Sequence, residues 1–242
     1  MSLPRARLDR AEKISDNMWS LDFKESHHLV HVRRCRIGEE FEGLLEGRKL
    51  LLKIEGYEQG RVIAKETGKL PIYERSRQIS LLIALVKNNA FEDILNHATE
   101  LGVAEIIPIL AERSVVQLKG QLTKKMERWR RIIAEATKIS GIGNPPLLHT
   151  PLKVLDLRDE SLPSLRLLGA LTDDAKPLGS VNIKQQEDVV FAVGPEGDWT
   201  EGEMAYFARL KFLPVSLGPN ILRANTAAIA GLSYIILCTE GV

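Results

Sequence analysis

Two textures of hydrophobic and polar residues divide the chain. Up to about residue 70, short apolar runs at 28–32, 41–43, 50–54 and 60–64 are separated by turns such as Ile37-Gly38 and Glu55-Gly56. Turns at this spacing predict a small β-barrel. Residues 26–34 fit a short helix or helical turn packed on it. Residues 67–77 carry Gly68 and Pro71 among charges and read as a linker. The expected boundary lies between residues 70 and 71.

The rhythm changes from Ile79. Residues 79–86 predict a strand. Phe91, Ile94, Leu95, Ala98 and Leu101 recur at helical spacing, and Gly102 is placed to end that helix. Residues 105–110 predict a second strand, with Pro108 arguing for an edge or a bulge. Leu122, Met126, Trp129, Ile133 and Ala136 form one stripe of a long helix. Further strands are expected at 166–171, 188–193 and 212–217. Thr200-Glu-Gly-Glu203 has the form of a capping box. A last helix should begin near Asn225. Alternating strands and helices predict an α/β domain with a mostly parallel sheet over residues 71–242.

Composition adds few restrictions. The 242 residues are 44% hydrophobic and 27% charged, an ordinary globular balance with net charge +1. Affinity for nucleic acid would therefore come from local patches. Cys35 and Cys238 lie far apart and predict two buried thiols in a reducing, cytoplasmic setting. The five histidines lack metal-ligand spacing, so no metal is expected. No segment has the length of a membrane span or the form of a signal peptide.

In open parallel sheets, ligands gather at the carboxyl ends of the strands. Three predicted strand ends carry unusual loops: Leu171-Thr172-Asp-Asp-Ala175, Val193-Gly194-Pro195-Glu196-Gly197, and Ser216-Leu217-Gly218-Pro-Asn-Ile221-Leu222-Arg223-Ala224-Asn225-Thr226. Open backbone here can pair with an adenine ring while Leu217, Ile221 and Leu222 cover its faces. A P-loop and a G-x-G-x-x-G fingerprint are both absent. By elimination, the ligand is an adenosine compound without phosphates. The expected ligand contacts are Leu171 and Thr172 from the first loop. Val193, Gly194, Pro195, Glu196 and Gly197 come from the second; Leu217, Gly218, Ile221, Leu222 and Ala224 come from the third.

Gly194-Pro-Glu-Gly197 and the stretch from Val215 to Ala227 resemble the RsmE family of 16S rRNA uridine N3-methyltransferases, in the SPOUT superfamily. Upstream, His27-His-Leu-Val30 with Arg34 and Gly38, Ala98-Thr-Glu-Leu-Gly-Val103, Ile106-Ile-Pro108 and Glu112-Arg-Ser-Val115 match in order. The resemblance spans nearly the whole chain. It implies a PUA-like RNA-binding barrel followed by a SPOUT-type domain with a C-terminal trefoil knot. It also implies S-adenosylmethionine as methyl donor, 16S rRNA in the small ribosomal subunit as substrate, and a homodimer.

Transfer to a uridine ring nitrogen needs loss of the N3 proton and a cation beside the developing anion. The resemblance assigns that cation to Arg223 and places Asn225 with it as the catalytic pair. Arg5, Arg34, Lys87 and Arg128 are candidate RNA contacts among several basic stretches, which include Lys119. The chain departs from the family pattern in four places. Asn225 replaces a carboxylate, and Asp198-Trp199 replaces Gly-Phe. Lys87 survives where a second cation does not, and Ile139 and Ile142 replace polar residues. A second function stays open at this point: a weakly active or inactive homologue that binds cofactor and serves as an RNA-binding or ribosome-assembly factor.

Overall fold

The computed structural model describes residues 3–45, 47–72, 77–114, 120–183 and 187–238. Val115, Lys119 and the linker positions 73–76 lie outside the described residues. The chain forms two compact units. One is Met1–Glu74 together with Thr137–Pro145; the other is Arg75–Ala136 with Pro146–Val242. The segment 137–145 therefore belongs with the smaller unit, which a linear division at residue 70 does not contain.

The smaller unit is built on a six-stranded sheet of β1 (Arg5–Arg7), β2 (Glu12–Ser15), β3 (Met18–Ser20), β4 (Glu40–Leu45), β5 (Arg48–Glu58) and β6 (Arg61–Leu70). The spatial order is β1-β4-β5-β6-β3-β2. β1 pairs parallel with β4, and the other pairings are antiparallel. Leu8, Leu21, Leu29, Phe41, Leu52 and Ile54 fill its core. Residues 23–32 are helical: α1 (Phe23–His27) runs directly into a π-helical turn, His28–Val32. Asp22 caps α1 by accepting from the Lys24 and Glu25 N–H groups.

The larger unit holds a seven-stranded sheet. Its strands are β7 (Ile79–Ala84), β8 (Glu105–Ile109), β9 (Leu147–Leu148), β10 (Leu165–Gly169), β11 (Lys176–Pro177), β12 (Val189–Val193) and β13 (Leu213–Ser216). They lie in the order β11-β13-β10-β12-β7-β8-β9, and every pairing is parallel. Central β7 and β12 are buried at every position, as a parallel strand covered on both faces must be. One face packs against α2 (Asn88–Glu100), α3 (Leu122–Ser140) and α5 (Ala224–Leu237); the other packs against α4 (Glu201–Arg209).

The α3 stripe lies as its spacing predicts. Met126, Trp129, Ile133 and Ala136 are buried, and the Trp129 ring lies 4.6 Å from that of Phe91 on α2. Gly102 follows α2 with φ +75°. Pro108 accepts at its carbonyl from the Leu152 N–H. In a strand, a residue's nitrogen and oxygen point to the same side. The nitrogen of Pro108 thus faces away from β7, so the proline costs the β7–β8 ladder no donor; β8 itself is paired on both sides and is not an edge strand. One further expectation needs correction. Cys35 is buried, but Cys238 is exposed, because it caps α5 beyond the last core contacts of Ile235 and Ile236.

Candidate active site

β13, β10 and β12 are neighbours in the sheet, so the loops that leave their carboxyl ends stand side by side. These loops enclose a cavity of about 270 Å³. Leu171 lines it from the first loop and Val193, Gly194, Pro195 and Glu196 from the second. Leu217, Gly218, Ile221, Leu222, Arg223 and Ala224 line it from the third. Thr172, Gly197 and Asn225 are not on its wall. The sequence reading missed Gly169, Ala170, Asp198, Val215, Ser216, Asn220 and Ala227. Most of these extend the expected stretches by one or two residues. Ala227 could have been found from helical spacing, since it lies three residues after Ala224 and shares its face.

The glycines of the two motifs do different work. A Cβ on Gly194 would come within 3.0 Å of the Trp199 indole, and one on Gly197 within 3.1 Å of Arg113 Cβ. Both glycines make room for the protein's own side chains. Gly218 has φ +134°, and a Cβ there would meet no protein atom within 4 Å. Its side faces open space at the cavity, where a bound group can approach the backbone.

The loop after β12 is braced from behind. Trp199 is buried and packs edge-on to Phe207, which in turn packs edge-on to Phe212. Arg113 donates to the carbonyls of Gly197 and Trp199 at 3.1 and 3.4 Å. Glu203, only 2% exposed, accepts from the Thr200 N–H at 2.8 Å and the Glu112 N–H at 2.9 Å. Thr200 completes the capping box of α4 through its hydroxyl. Asp198 takes a left-handed φ of +60° and accepts from the Trp199 N–H. Aspartate tolerates that region better than most residues.

The loop after β13 has few such ties. The Ser216 hydroxyl donates to the Gly218 carbonyl and accepts from its N–H. Ile221 is 80% exposed. The N-cap of α5 is Arg223, not Asn225, and its side chain makes no capping bond. Asn225 lies one position inside the helix start and accepts from the Thr226 N–H at 2.9 Å. The Arg223 guanidinium is exposed and has no ion pair among the described residues. No group of three His, Cys, Asp or Glu among the described residues could hold a metal.

Residues 73–236 match the RNA methyltransferase domain family. The ribosomal RNA small subunit methyltransferase E of Synechocystis is 32% identical over 233 residues, which is 93% of this chain and 74% of that protein. The protein of the same name from Aquifex aeolicus is 30% identical, covering 93% of this chain and 97% of its own length. The chain belongs to the ribosomal RNA small subunit methyltransferase E family. A crystal structure of the family's Neisseria gonorrhoeae member, bound to S-adenosyl methionine, superposes with a TM-score of 0.86 at 25% identity over 99% of this chain and 100% of that one.

None of the four candidate RNA contacts lines the cavity. Arg5 pairs with Glu42 at 2.7 Å and donates to the Ile139 carbonyl. Burial pushes the Glu42 carboxyl up, but hydrogen bonds from Arg5 and Lys49 outweigh it and hold the group below its usual range. Arg128 pairs with Glu92 at 2.6 Å. Lys87 is exposed at the N-cap of α2. Arg34 is exposed with a left-handed φ of +58°.

Proposed function

We propose that the protein transfers a methyl group from S-adenosylmethionine to N3 of a uridine in 16S rRNA of the small ribosomal subunit. The observation that carries this is the cavity at the ends of β10, β12 and β13, with apolar walls, open backbone at Gly218 and the Arg223 cation at its lining. Its residues fit an adenosine compound. Val193, Leu217, Ile221 and Leu222 offer apolar faces, and the space beside Gly218 admits close approach. The Neisseria relative's cofactor is the second support.

When bound, S-adenosylmethionine supplies a methyl group activated by its sulfonium. The protein's own residues position and polarise. Arg223 places a positive charge where the uridine anion develops on loss of the N3 proton. The N-terminal turn of α5, which starts at Ala224 on the cavity wall, adds the partial positive charge of a helix start. Arg34, Lys87 and Arg128 would contact phosphates. Asn225 would act with Arg223 at the same helix start. The resemblance further supports a PUA-like fold for the smaller unit, a C-terminal trefoil knot, a homodimer and a cytoplasmic setting.

The weakly active homologue is not favoured. The protein's relatives from Synechocystis and Aquifex aeolicus, each matched over 93% of this chain, are both named methyltransferases. The deciding experiment incubates purified protein with labelled methyl donor and small ribosomal subunits from cells lacking it. Label recovered as N3-methyluridine supports the function. Calorimetric cofactor binding without transfer would return the protein to the assembly-factor reading.

A further inference from the structure

Within the smaller unit, Phe23, His27 and His31 follow one another at four-residue intervals along α1 and the π-turn. All three are exposed, and the rings of His27 and His31 lie 4.8 Å apart. An aromatic stripe at this spacing usually faces a core; here the core side is taken by Ser26 and Leu29. Phe23 is 59% exposed, and the Arg61 guanidinium lies 4.8 Å from its ring centroid.

The stripe leads into Arg33, Arg34 and Arg36, all exposed. Arg5, Arg7, Lys49 and Arg61 of this unit each pair with a carboxylate. Arg33, Arg34 and Arg36 have no such partner among the described residues. Glu39 is close, but its carboxylate accepts from the Arg36 backbone N–H, not from a guanidinium.

Arg34 also closes the π-turn in a left-handed conformation. The Arg33 N–H bonds the His28 carbonyl and the Cys35 N–H bonds that of Leu29, each at 2.9 Å. Glycine is the least strained residue at such a position, yet a guanidinium stands there. Local strain held in place by its surroundings is often associated with a functional site.

We propose that this stripe and turn form a single-stranded RNA contact, with unpaired bases stacking on Phe23, His27 and His31 and phosphates held by Arg33, Arg34 and Arg36. Stacking on side chains needs bases that are splayed out, which an A-form duplex does not offer. The uncompensated positive charge selects a polyanion over an apolar peptide. The inference rests on the reading of RNA as substrate and names how part of it is gripped.

The test uses the full chain and a fluorescent oligonucleotide taken from unpaired 16S rRNA, single-stranded or annealed to its complement. The Phe23→Ala/His27→Ala/His31→Ala variant should bind the single strand roughly tenfold or more weakly, with the salt dependence unchanged. Changing Arg33, Arg34 and Arg36 to Gln should flatten the slope of log affinity against log salt by about 2. Arg34→Gly relieves the backbone, so it should melt no lower than the parent while binding RNA more weakly.

Parent-like binding by either the aromatic variant or Arg34→Gly overturns the proposal. So does a preference of the parent for anionic lipid vesicles over the single strand. Methyl transfer to small subunits is measured alongside. Transfer by the parent, with RNA binding indifferent to the stripe, sinks the surface and spares the enzyme. Stripe-dependent binding without transfer does the reverse.

Discussion

The loops after β12 and β13 form facing parts of one cavity and are held in opposite ways. The first is packed and hydrogen-bonded from behind by Trp199, Arg113 and Glu203. The second has one short serine turn, an open glycine and an arginine without an ion pair among the described residues. A pre-formed wall lowers the ordering cost of binding. A less tied wall can adjust to what arrives. The contrast suggests that the β12 loop fixes where the ligand sits, while the β13 loop meets the reacting partner.

The sharpest way to break this contrast is to remove the brace. Trp199→Ala should cost about 3–5 kcal/mol of stability, as truncation of a buried large aromatic does. Chemical denaturation measures it, and a loss below about 1 kcal/mol would mean that Trp199 holds nothing in place.

Next in size is Arg223→Ala on the untied side. Turnover should fall roughly 100- to 1,000-fold with cofactor affinity nearly unchanged, the pattern of a group that acts on the transition state. Single-turnover kinetics and calorimetry separate the two quantities. Equal losses in both would move Arg223 into cofactor binding.

Gly218→Val introduces a side chain into the open space and strains a left-handed backbone. Cofactor affinity should drop about 100-fold, equivalent to about 2.7 kcal/mol, with the melting temperature lowered only by the local strain. Undiminished affinity would place the ligand elsewhere. Arg113→Ala is milder. It removes donors to two loop carbonyls and should weaken cofactor binding roughly tenfold, whereas Arg113→Lys should restore part of it. Identical affinities in all three proteins would leave the brace without a role in binding.

The same contrast marks what the sequence could show. The strands that end at the cavity, the α3 stripe and the capping box at Thr200 were all legible, because each rests on local periodicity or local hydrogen bonding. Ten of the expected ligand contacts line the cavity, from Leu171 to Ala224. Gly194 and Gly197 look like ligand glycines in the sequence. Their reasons for being glycine lie in Trp199, five residues after Gly194, and in Arg113, on another strand's loop.

Contacts of that range leave no periodic trace. β2 and β3 leave none either: the short runs Glu12–Ser15 and Met18–Ser20 gain their strand character from pairing with each other and, for β3, with β6. The exposure of Cys238 likewise depends on where α5 stops, and element ends are the least legible feature of a sequence.

The return of residues 137–145 to the smaller unit bears on how this protein can be dissected. Lys138, on that segment, pairs at 2.7 Å with Glu25, and both side chains are nearly inaccessible to water. A fragment ending at residue 74 would keep the Glu25 carboxylate and lose its cation, stranding a charge in an apolar setting. The six-stranded sheet's sequence is contiguous on paper, but the foldable module is not; to be cut free intact, it would have to carry the end of a distant helix grafted onto it.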